Sequence, residues 1–99
     1  MRKGSAEIVS VSDLNGLQKA SIYPNPAQNY LNLEFNAKFS STANISITNV
    51  LGQVVYQEVN PIRLGQQTIQ LKINTLEAGS YFINLESKIG SINLPFIKK

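Results

Sequence analysis

The 99-residue chain predicts an all-β fold, an antiparallel sandwich of about six to seven short strands. Three observations carry this expectation. Apolar residues recur with a period of two in most segments, giving each an inward and an outward face. Gly, Asn and Pro residues break the chain at roughly 10–12-residue intervals, the rhythm of antiparallel sandwiches. No segment sustains a helical period. Hydrophobic residues make up 42% of the chain, enough for a core, and the length leaves no room for a second one.

Residues 7–11 alternate weakly and read as a short edge strand, followed by a turn-like Ser12-Asp13-Leu14-Asn15-Gly16. Residues 1–21 read as a leading segment or linker, and residues 22–99 as the folded domain. In Tyr23-Pro24-Asn25-Pro26 each proline drives the residue before it out of helical geometry. Neither proline can donate a ladder hydrogen bond, so this piece is not a central strand. Residues 30–35 place Leu31, Leu33 and Phe35 on one face, and residues 43–48 repeat the pattern through Ala43, Ile45 and Ile47. A turn at residues 49–53, with Gly52 at positive φ, leads to a strand over 54–59 that Asn60-Pro61 closes. After a bend at Leu64-Gly65, residues 68–73 alternate through Ile69, Leu71 and Ile73. Tyr81, Ile83 and Leu85 share a face of the next strand. A turn at residues 88–91 opens the last strand, over 92–97, where Pro95 implies an edge position or bulge. This is the pattern of an immunoglobulin-like β-sandwich.

The composition excludes several kinds of function. The chain has no histidine and no cysteine, which removes imidazole bases, thiol nucleophiles and the usual transition-metal ligands. Asp13 is the only aspartate. The glutamates lie on separate elements, and Glu34, Glu58 and Glu86 read as solvated outward positions. No Gly-rich phosphate loop or dense acidic calcium loop occurs. No catalytic, cofactor-binding or metal-binding residue is expected. The net charge of +3 comes from the ends, since Arg2, Lys3, Lys98 and Lys99 are four of the nine bases. Without a cluster of cations in its body, the chain is not expected to bind nucleic acid. No apolar run reaches the roughly 20 residues of a membrane helix.

Four motifs in order carry a resemblance. Tyr23-Pro24-Asn25-Pro26 precedes the strand Leu31-Asn32-Leu33-Glu34-Phe35. Leu51-Gly52-Gln53-Val54-Val55-Tyr56 follows, then Leu76-Glu77-Ala78-Gly79-Ser80-Tyr81-Phe82, and the chain closes on Phe96-Ile97-Lys98-Lys99. Together these resemble the type A C-terminal sorting domain of the type IX (Por) secretion system of Bacteroidetes, over about residues 22–98. One departure stands out: the first lysine of the family's closing motif aligns with Pro95.

The resemblance implies a non-catalytic domain at the C-terminus of an exported protein. It directs an N-terminal cargo domain through the periplasm and across the outer membrane to the cell surface or medium. The implied partners are translocon and outer-membrane shuttle proteins, and a sortase-like peptidase that removes the domain. Carried over residue by residue, translocon recognition falls on Tyr23, Pro24, Asn25, Pro26, Gly79, Tyr81, Phe96, Lys98 and Lys99. Tyr81 also reads as a core residue whose hydroxyl reaches the edge. The terminal strand, if exposed, offers an edge for a receptor strand or for self-association. The alternative reading is an immunoglobulin- or fibronectin-like adhesion or carbohydrate-binding module of a surface protein. The absence of Trp, and Tyr and Phe residues that mostly fit core or turn positions, weigh against it. An aromatic cluster on one exposed face would favour it.

Overall fold

The computed structural model describes residues 15–99, so the expected strand at residues 7–11 and most of the turn at 12–16 lie outside it. Seven strands form two antiparallel sheets and, among the described residues, no helix. The first sheet has the order β1-β2-β5, with β1 Leu17–Tyr23, β2 Tyr30–Ala37 and β5 Gly65–Lys72. The second has the order β4-β3-β6-β7, with β3 Ser41–Asn49, β4 Val54–Ile62, β6 Gly79–Ser87 and β7 Gly90–Lys98. The alternating side chains meet between the sheets. Leu31, Leu33 and Phe35 of β2 face Ile45 and Ile47 of β3 and Ile83 and Leu85 of β6, all fully buried. Burial of such side chains contributes about 1.5–3 kcal/mol each and drives the two sheets together.

Strand β1 has no expected counterpart, because a bulge breaks its alternation. Its register to β2 shifts between Gln18 and Ser21, where Lys19 takes φ 56°. The extra residue turns both Leu17 and Ile22 inward although they are five apart, so a period of two cannot connect them. β1 starts inside the stretch read as a leading segment.

Strand β4 continues through Pro61, which pairs with Thr42, rather than closing at Asn60-Pro61. As the edge of its sheet, β4 tolerates a residue without an N–H. Glu58 is a second correction. It alternates with Tyr56, Asn60 and the buried Ile62 on the half-buried side of β4, while Val55 and Val59 point to solvent. The phenol of Tyr56 and the amide of Asn60 both donate to the Glu58 carboxylate, which lets the acid sit there.

Candidate functional site

Three of the motifs meet at one end of the sandwich. The link between β1 and β2 crosses that end and is fastened to both sheets. On the four-stranded side, the Ala27 N–H donates to the Ile97 carbonyl at 2.8 Å, and the Lys99 N–H donates to the Ala27 carbonyl at 2.7 Å. This is a one-residue parallel bridge between Ala27 and Lys98. The Asn25 side-chain carbonyl accepts the Ile97 N–H at 3.0 Å. On the three-stranded side, the Ile73 N–H donates to the Asn29 carbonyl at 2.8 Å. The residues between belong to no strand; both Tyr23-Pro24 and Asn25-Pro26 bonds are cis. Tyr23, Pro24, Asn25 and Pro26 are exposed, whereas Ala27 is completely buried.

The Leu76–Tyr81 motif supports the same end from below. Leu76 packs on the core, and Gly79 opens β6 at φ 157°, backbone that a side chain would strain. The Tyr81 hydroxyl then donates to the Glu77 carbonyl at 2.6 Å, closing the turn as a buried tyrosine closes a corner. The Tyr81 ring, 8% exposed, stacks on Phe96 with centroids 5.6 Å apart and planes at 23°. Gly79 and Lys98 are register partners in β6 and β7. Lys98 therefore lies between Gly79 and Ala27. It is 8% exposed, with its ammonium donating to the Lys99 carbonyl at 3.2 Å. The aliphatic stem of a lysine can be covered in this way while its head stays polar. Lys99 is exposed.

Every residue assigned by resemblance thus falls at this end, in two layers. Tyr81, Phe96 and Lys98 lie beneath; Tyr23, Pro24, Asn25, Pro26, Gly79 and Lys99 face solvent. Sequence reading missed Ala27, whose backbone makes the bridge and whose small apolar side chain gives no signal. A groove of about 280 Å³ flanks the clamp on the outer face of the four-stranded sheet, lined by Asn25, Val50, Phe82, Pro95 and Ile97. A more polar recess of about 540 Å³ flanks it on the other side, where Pro24, Pro26, Tyr30 and Lys99 meet Gln70.

The free edge of β7 differs from the expected open edge. Ile97 directs both its N–H and its carbonyl outward, so residues 91, 93, 95 and 99 face the same way. The Ser91 carbonyl accepts the Asn15 amide at 3.2 Å, and Ile97 and Lys99 are held by Asn25 and Ala27. Pro95 has no N–H to offer. Among the described residues, Asn93 carries the only outward N–H between Ser91 and Ile97. A partner strand therefore finds almost no ladder on β7.

The sequence model of the secretion system C-terminal sorting domain family matches residues 21–99. None of the curated proteins compared with the chain matches it.

Proposed function

Since the chain belongs to the secretion system C-terminal sorting domain family and so carries a C-terminal signal for type IX secretion, we propose that this signal is a composite surface and not a linear tail. Domains of this family are generally non-catalytic, and the signal implies export across the outer membrane. The observation that carries the reading is the bridge of Ala27 to Ile97 and Lys99, with Asn25 capping Ile97. It joins the Tyr23–Pro26 motif and the terminal lysines, 72 positions apart at the Asn25–Ile97 contact, into one surface.

The secretion machinery reads Tyr23, Pro24, Asn25, Pro26, Gly79 and the Lys99 ammonium directly. Tyr81, Phe96 and Lys98 position them. Because the tail is already ordered, the receptor does not bear the conformational cost of fixing it. The outer-membrane shuttle proteins of the translocon are the partners at this surface, and a sortase-like peptidase removes the domain after export. The test is a fluorescent cargo with a Sec signal at its N-terminus and residues 6–99 at its C-terminus, expressed in a type IX-competent strain and in a translocon-deficient one. Surface or extracellular fluorescence only in the competent strain is expected. Periplasmic retention of folded fusion in both strains would overturn the reading.

A further inference from the structure

Four of the eight Tyr and Phe residues, Tyr23, Tyr30, Phe39 and Phe82, are exposed, more than core and turn positions account for. Two of them share one face. Tyr23 pairs with Asn32, and Asn32 with Gln70, so the three form one row across β1, β2 and β5. Tyr30 pairs with Lys72 in the next row on the same outer face. Tyr23 and Tyr30 are 44% and 46% exposed. The amide row is held in place: Asn32 donates to the Tyr23 carbonyl at 3.2 Å and accepts from Gln70 at 3.1 Å. These two bonds leave Gln70 its carbonyl oxygen and one N–H. The recess of about 540 Å³ opens here, with Gln28, Asn29 and Lys99 at its rim and no carboxylate side chain in its lining.

From this arrangement we infer that the outer face of the three-stranded sheet is a binding platform for an oligosaccharide bearing acidic groups. Planar amides both donate and accept, as each sugar hydroxyl does, so Gln28, Asn29 and Gln70 can pair with hydroxyls without desolvating a charge. The negative face of the Tyr30 ring meets the weakly positive C–H face of a pyranose, and Pro24 and Pro26 extend that apolar floor. Lys72, the register partner of Tyr30 on the same outer face, supplies a cation for a carboxylate or phosphate substituent. The recess volume lies within the range of small-molecule sites, about 300–1,000 Å³. The platform overlaps the surface assigned to the machinery at Pro24, Pro26 and Lys99, while Tyr30 and Gln70 lie outside it, so substitutions at these two separate the two readings.

The test follows the side-chain amide resonances of the 99-residue protein by NMR during titration with tetragalacturonate, mannotetraose and tetraglutamate. Tetragalacturonate shifts the amides of Gln28, Asn29 and Gln70 saturably, mannotetraose does so more weakly, and tetraglutamate leaves them in place. Tyr30→Ala and Gln70→Ala each weaken tetragalacturonate binding about tenfold, the loss of one ring contact or hydrogen bond, with the backbone spectrum otherwise retained. Absence of a saturable shift with either sugar would overturn the inference. So would an equal response to tetraglutamate, which marks charge alone, or variants that bind as the parent does.

Discussion

Asn25 shows how a single side chain can join two distant motifs. Its carbonyl takes the Ile97 N–H at 3.0 Å on an otherwise solvent-facing edge. Asn25→Ala leaves that donor to water and is expected to lower stability by about 1 kcal/mol. Hydrogen exchange at the Ile97 amide should accelerate by more than the roughly fivefold that a loss of about 1 kcal/mol gives the core amides of β3 and β6; unchanged protection at Ile97 would remove the clamp from the account. Tyr56 gives a pH test at the opposite sheet edge. Its hydrogen bond to Glu58, aided by burial and by the carboxylate charge, pushes its pKa up from 10.0 to about 12. A raised phenol pKa means that the unfolded chain loses the proton first as pH rises. The stabilisation is thus complete below pH 10 and disappears between pH 10 and about 12. Tyr56→Phe should flatten the fall of stability over that window, read from denaturant midpoints at successive pH values. The Glu58–Tyr56–Asn60 cluster was not legible in sequence, because an acid in an alternating strand looks solvated until the sheet order shows which face is inside.

At the scale of elements, strands whose core positions keep an unbroken alternation were legible, and β1, whose bulge falls between its core positions, was not. Residues 30–35 and 43–48 fall within β2 and β3, whose apolar positions keep strict period two. β1 escaped because its bulge at Gln18 to Ser21 reverses the phase between Leu17 and Ile22. Gly52 sits at φ 83° in the β3–β4 turn, as its neighbours implied, and Pro95 lies on an edge strand, as its missing donor implied. What the sequence could not reveal was that Asn15, Asn25 and Ala27 cover that edge, since hydrogen bonds to backbone leave no periodic trace. Pro95 is the remaining guard in the middle of β7. Pro95→Ala adds an outward N–H without touching the ladder to β6. Monomer stability should change by less than about 0.5 kcal/mol, while sedimentation should reveal concentration-dependent self-association absent in the parent. A variant that stays monomeric at every concentration would count against the guarding role.

The whole molecule is a sandwich whose last strand is part of the core. Phe96 is 2% exposed and stacked on Tyr81, so residues 96–99 are not an appended tail. A chain ending at Pro95 loses that ring and the bridge to Ala27. The expected cost is at least the roughly 3–5 kcal/mol of emptying a Phe site, a large share of the 5–15 kcal/mol that holds a domain together. Thermal unfolding of the truncated chain should show a greatly lowered Tm, and an unchanged Tm would mean that the tail is structurally separate. Failed export of a truncated signal therefore reports folding as much as recognition. The motifs were legible as the pattern of a family, but their convergence on one end was not, because it depends on a parallel bridge between segments at opposite ends of the domain.

Export of cargo fused to surface variants that keep the fold tests the composite signal most directly. Lys99→Glu reverses an exposed charge, and Asn25→Ala releases the clamp at a cost the domain can bear. Each fusion is measured for surface fluorescence in a type IX-competent strain, alongside the Tm of the purified domain. The composite signal predicts that both variants remain folded and that both lose most of their export. Export at the parental level from both folded variants would contradict it.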